Sequence, residues 1–277
     1  MSGAGRGGPG TGGPGASGAG RGGGGTGGPM TRTLIGVGMG PGDLELVTLK
    51  AVRVLRTAHR VLVPVLAEEE PGRAEATVRA HLDDPGDPRV RRVVFALDDR
   101  EGVTPRREAA WEAAADAVVA AFAEGCAEVA FATIGDPNVY STFGYLAGTV
   151  RDRLPDVLVR TVPGIMAMQD LAMRAGVSLC QGEESLALFP MTAGLDRYRD
   201  LLRAVDTVVA YKGGRHLPEL LAVLEAEGRL DQAVVGSGLG LPGERVTWAR
   251  QVPPGTRAPY LTTVVAPPRR VRRGGRL

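Results

Sequence analysis

The chain has 277 residues, 43% of them hydrophobic and 4% aromatic, so a sizeable core is available and must be built mostly of Val, Leu and Ala. That suits buried parallel strands under Ala-rich helices, in two modest domains or one large one. The formal charge of +2 comes from the ends: two arginines in the first 29 residues and five after Pro267 are seven positive charges, and without them the remainder stands at −5. The basic balance therefore does not mark a nucleic-acid-binding fold. No apolar run approaches the roughly 18 residues of a membrane helix. Cys126 and Cys180 form no CxxC pair and lie near apolar segments, so buried reduced thiols are expected. His59, His81 and His216 have no ligand spacing, and no metal site is expected. A soluble cytoplasmic protein fits these features.

Residues 1–29 hold 16 of the 41 glycines and are otherwise mostly Pro, Ala, Ser and Thr. They cannot bury enough apolar surface to offset their ordering entropy and are expected to be disordered. They lack the apolar region of a secretory signal. Met30 follows at once, so either Met30 is the working start or the leader is a dispensable tail. The expected divisions are an α/β domain over 30–155, a second over 156–266, and a basic disordered tail over 267–277.

The first domain opens on TLIGVGMGPGDLELVTLK (33–50). Leu34, Ile35 and Val37 predict a strand, which breaks into a turn carrying Gly36, Gly38, Gly40, Pro41 and Gly42. Asp43 is placed to cap a helix over about 44–57. Strands are expected at 60–65, 90–97 and 128–133, with helices near 74–81 and 105–124. The third of these strands runs into Ile134-Gly135-Asp136-Pro137, followed by a helix over about 138–151. The second domain continues the alternation, with strands at 157–162, 185–190, 206–212 and 232–240. Helices are expected at 165–176, 196–204 and 215–228. Segments 244–252 and 259–266 look like a closing antiparallel pair. Strands alternating with helices in both halves make an α/β protein with a parallel or mixed sheet in each.

The first turn is not a dinucleotide fingerprint. From Gly36 the third glycine position is Pro41, from Gly38 it is Asp43, and no acid ends the second strand. It is not a P-loop either, because no Gly-Lys-Ser/Thr follows. The second turn is more unusual. Pro137 forces a bent backbone after a strand, Asp136 can accept ligand hydrogens or cap the helix, and Tyr140, Ser141, Thr142 and Tyr145 follow closely. Pro163-Gly164 then exposes the amides of Ile165 to Ala167 at a helix start. Tyr211-Lys212-Gly213-Gly214 and Gly236 to Gly240 make two more strand-end turns. Five such turns without a nucleophile triad point to a ligand held mostly by backbone, which suits transfer between two bound small molecules.

GVGMGPGDLELVTLKAVRVL, TIGDPNVYSTFGYL, VPGIMAMQDLAMRAG and VVAYKGGRHLPELLAVLEAEG, in this order and spacing, resemble the tetrapyrrole methylases over about Thr33 to Ala266. The GDPxxYSTFxYL form and the late GLPGERV are similar to the branch that methylates precorrin-2 at C20. The resemblance implies two α/β domains with mixed sheets and a ligand cleft between them, and a homodimer. It also implies S-adenosylmethionine as methyl donor and a reduced tetrapyrrole as substrate. Carried over position by position, the cofactor residues are Pro41, Ile134, Gly135, Asp136, Val139, Met166, Ala167, Tyr211 and Leu239, with Ser141 and Thr142 close enough to join them. The first glycine turn would line the substrate trough, with Asp43 as a candidate acid or base facing substrate or as the helix cap. Arg53, Arg106, Arg107, Lys212 and Arg215 are candidate partners for substrate carboxylates. The chain departs from the family at Pro64, where uroporphyrinogen methylases place an Asp, and at Met166 and Met168, where small Thr or Ser residues are common. A sister methylase acting at another carbon, such as the precorrin-4 C11 enzyme, and a non-catalytic α/β binding protein stay open as alternatives.

Overall fold

The computed structural model describes residues 31–270 except 97, 98, 100 and 101. The leader, the proposed start at Met30 and the tail beyond 270 lie outside the described residues. Strands β1 (Thr33–Gly38), β2 (Arg60–Val65), β3 (Val90–Val94), β4 (Glu128–Thr133) and β5 (Leu158–Val162) form one sheet in the order β3-β2-β4-β1-β5. Every pairing in it is parallel. Helices α1 (Leu49–Thr57) and α2 (Arg73–Ala80) cover one face, and α3 (Pro105–Ala123) and α4 (Phe143–Arg153) the other. The period of two along each strand sorts the core. Leu34, Leu62, Val129 and Phe131 pack toward α3 and α4, while Ile35, Val37, Val61, Val63, Ala130 and Ala132 pack toward α1 and α2.

The second sheet holds β6 (Leu186–Pro190), β7 (Thr207–Tyr211), β8 (Val234–Ser237), β9 (Arg245–Trp248) and β10 (Thr262–Ala266), in the order β6-β7-β10-β8-β9. Helix α5 (Ala167–Ala175) packs Met168 and Leu171 on one face, against Val209, Val234 and Val265. Helices α6 (Leu195–Ala204) and α7 (Leu217–Ala226) cover Val208, Ala210, Val235 and Val264 on the other. Only the β6–β7 pair is parallel. The second sheet is therefore mixed and the first is not, which corrects the expectation of two mixed sheets. The described residues from Thr31 onward belong to one compact unit. No described helix is long and apolar enough to cross a membrane.

Several local expectations shift for identifiable reasons. The division expected at 155/156 precedes β5, which pairs with β1, so the chain leaves the first sheet only after Val162. Segments 244–252 and 259–266 contribute β9 and β10, but these do not pair with each other; both lie antiparallel to β8. Helix α1 starts at Leu49 rather than Leu44, and Thr48, not Asp43, caps it, its Oγ1 accepting from the Ala51 amide at 3.1 Å. Helix α4 starts at Phe143 because Tyr140 takes a left-handed φ of 51°, which no right-handed helix admits. Cys126 is half-buried and Cys180 exposed, both free, so neither is the buried thiol expected. Of the expected tail, Arg270 is docked, its Nη2 2.6 Å from Glu184 Oε2.

Candidate functional site

In an open α/β sheet, ligands collect at the carboxyl ends of strands where neighbouring connections leave to opposite faces. Here β1 and β4 are neighbours, and their chains leave to α1 and α4 on opposite faces. The loops after them are tied together. Met39 N donates to Thr133 O at 2.9 Å, and Gly135 N donates to Gly40 O at 2.7 Å. Asp136 then reaches the loop after β5. Its Oδ1 accepts from Asn138 N at 2.8 Å and its Oδ2 from Gly164 N at 2.9 Å. The carboxylate is thus both a local turn and a strut between the second and third turns. At this junction the backbones touch: a Cβ on Gly38 would lie 2.5 Å from Gly164 Cα.

The second lobe closes the site. Tyr211, at the end of β7, accepts from Met168 N through its hydroxyl at 3.2 Å, fixing the start of α5. Burial pushes the Tyr211 phenol up to about 12, so it stays neutral at pH 7 and keeps its own proton to donate. Tyr140 donates to Leu188 O on β6 at 3.2 Å, and its ring meets that of Tyr211 edge-on at 5.9 Å. Burial raises the Tyr140 phenol too. Lys212 Nζ lies 5.7 Å from the Tyr140 ring centroid and 5.9 Å from that of Tyr260, and Arg215 stands 5.7 Å over Tyr260. Tyr140 and Lys212 are the non-glycine residues with positive φ among the described residues, and both line this cleft. A left-handed non-glycine residue costs roughly 1–2 kcal/mol, and such strain concentrates at functional sites.

The cleft encloses about 120 Å³, and Pro41, Ile134, Gly135, Asp136, Val139, Met166, Ala167, Tyr211 and Leu239 all line it. The nine positions carried over from the resemblance therefore meet on one cavity, although they span five loops. Ser141 does not join them. Its hydroxyl is 3.0 Å from Thr133 Oγ1 and accepts from Phe143 N, and it lines a separate groove of about 470 Å³ along β5. Thr142 precedes α4 and lines neither cavity. The groove is larger, but the strand-end turns converge on the smaller cleft, which makes the cleft the candidate site. Its enclosed volume is below the ~300 Å³ of an ordinary small-molecule pocket, so a nucleoside-sized ligand must part its walls or extend through its mouth.

Asp43 is outside the lining. Its Oδ1 accepts from Glu45 N at 3.0 Å, and its Oδ2 lies 3.1 Å from Arg174 Nη2. Arg174, on α5, also holds Asp170 at 2.6 Å and Glu244 at 2.8 Å, so one guanidinium ties the first loop, α5 and the loop after β8. The role of Arg174 carries no local sequence motif. Arg73 also lines the cleft. It sits in a polar, proline-containing stretch after β2, where only the fold brings it near the later turns. Among the described residues no cluster of His, Cys, Asp and Glu is disposed to hold a metal ion.

Residues 33–250 match the family described as Tetrapyrrole (Corrin/Porphyrin) Methylases. A precorrin-2 C(20)-methyltransferase of Sinorhizobium sp is 34% identical, over 84% of this chain and 94% of its own length. A probable cobalt-precorrin-2 C(20)-methyltransferase of Methanocaldococcus jannaschii is 31% identical, over 71% of this chain and 78% of its own length. The uroporphyrin-III C-methyl transferase of Thermus thermophilus, solved in complex with S-adenyl homocysteine, shares the fold at a TM-score of 0.57 and 22% identity, covering 85% of this chain and 97% of its own. With the family matched over residues 33–250, most of its length, this chain belongs to the tetrapyrrole methylases.

Proposed function

We propose that this chain is an S-adenosylmethionine-dependent methyltransferase that methylates C20 of precorrin-2. The observation that supports this most is the convergence of nine strand-end residues on one cleft, in a chain 34% identical to a precorrin-2 C(20)-methyltransferase. The residues suit the donor. Ile134, Val139, Met166 and Leu239 offer apolar walls for a nucleoside, and Ala167 is the first residue of α5, whose amide has no acceptor within the helix. The Tyr211 hydroxyl proton is a further donor. When bound, S-adenosylmethionine supplies an electrophilic methyl group to a nucleophilic ring carbon. The chain's own part is positioning: the Gly40–Gly135 contact and the Asp136 strut fix the floor, and the apolar walls exclude water. Asp43, committed to Arg174, braces the wall of the cleft in this reading. A cytoplasmic homodimer, implied by the resemblance, belongs to the same reading. The β5 edge, where Leu158 is exposed, leaves a strand open to a second copy.

Isothermal calorimetry with S-adenosylhomocysteine tests the donor site. The wild-type chain should bind at micromolar levels, and Asp136→Ala, which frees the Gly164 turn, should bind at least tenfold more weakly while staying folded. Retained affinity in that variant would remove Asp136 from the site. No binding by the wild type would favour a protein that does not use this donor.

A further inference from the structure

Two cations line the cleft without a partner acid. Arg73, first residue of α2, contributes from the first lobe, and Lys212, in the turn after β7, from the second. Among the described residues neither makes a hydrogen bond or ion pair; Lys212 rests instead over the Tyr140 and Tyr260 rings. Neither placement is favoured locally. Lys212 holds a φ of 60°, and Arg73 puts a positive charge at the positive end of a helix. The acid in the lining is Asp136, and both its oxygens already accept backbone amides. A cleft with two unpartnered cations on opposite lobes and its acid occupied is complementary to an anion.

We infer that Arg73 and Lys212 form a two-sided clamp for a carboxylate of a bound small molecule. The planar guanidinium can take a carboxylate in bidentate fashion, and the ammonium adds a point charge from across the cleft. Resting on the function proposed above, the carboxylate has two sources: the amino-acid end of the methyl donor or the acid side chains at the rim of the tetrapyrrole.

The test uses the full chain and two binding probes: S-adenosylhomocysteine by calorimetry, and uroporphyrin III, a tetrapyrrole octacarboxylate, by fluorescence quenching. Arg73→Met and Lys212→Met should each weaken one probe at least tenfold, and the double variant about a hundredfold, with no fall in Tm. Lys212→Gly should match Lys212→Met in binding yet melt higher, since glycine accepts the left-handed φ. A loss confined to S-adenosylhomocysteine assigns the donor's carboxylate, and a loss confined to uroporphyrin III assigns the tetrapyrrole's. Turnover is not read, so a chain that fails to methylate would sink the functional proposal while this measurement still stands. A double variant that binds both probes as the wild type does, or a wild type that binds neither, overturns the clamp.

Discussion

Gly164→Ala should lose about 3 kcal/mol or more of stability and abolish binding of S-adenosylhomocysteine. A Cβ at this position would lie 2.0 Å from Gly135 O and 2.8 Å from Gly38 Cα, and both neighbours are backbone. No rotamer change relieves such contacts, so the loop after β5 must move off the loops after β1 and β4. That motion pulls Gly164 N from Asp136 Oδ2 and dismantles the floor of the cleft. Overpacking a rigid interior costs about 1–3 kcal/mol and more where nothing can yield, which for a chain of this size lowers Tm by roughly 6 °C or more. Gly144→Ala is the control. Its Cβ meets nothing within 4 Å on the exposed side of α4, so it should gain about 0.5–1 kcal/mol. Urea denaturation of the two variants beside the wild type checks the contrast. A Gly164→Ala chain of wild-type stability would show that the three turns do not meet as described.

Arg174→Met should cost about 3–5 kcal/mol at pH 8, the cost of removing one partner from a buried ion pair. The Asp170 side chain is fully buried, and its Oδ2 has no partner. Burial, reinforced by Glu244 and Asp43, pushes the Asp170 carboxyl up against the pull of Arg174. The sign of the pH dependence follows. A carboxyl raised in the folded state binds its proton more tightly there than in the unfolded chain, so its contribution to stability declines as pH rises from the ordinary carboxylate value of about 4 upward. Without the pull of Arg174 the carboxyl is raised further, so the decline carries on to higher pH. The deficit of the variant should therefore be smaller at pH 5, where Asp170 can take a proton, than at pH 8. Denaturation curves at the two pH values check this. A deficit that is the same at both, or below about 1 kcal/mol, would mean that Arg174 is an ordinary surface cation.

The alternation of strands and helices was legible because buried parallel strands leave short apolar runs between glycine stops. Gly135-Asp136-Pro137 could be singled out because a bent, acid-bearing turn directly after a strand is unusual. Its second role was not legible: the bond from Gly164 N to Asp136 Oδ2 crosses 28 positions of sequence. Asp43 misled for a chemical reason. An Asp that closes a two-residue turn on Glu45 N has the local signature of an Asp that caps a helix. Ser141 and Thr142 follow the cleft residues closely in sequence, yet neither lines the cleft, because the left-handed Tyr140 turns the chain just before them. Arg73 stood in a stretch with no motif, and only the packing of α2 beside β2 brings it to the cleft.

The most direct test of the proposed chemistry is to incubate the chain with precorrin-2 and S-adenosylmethionine carrying a ¹³C-labelled methyl, then locate the label by NMR. A single new methyl on C20 is the result predicted. A label on any other carbon, or none in a chain that binds S-adenosylhomocysteine, would contradict it.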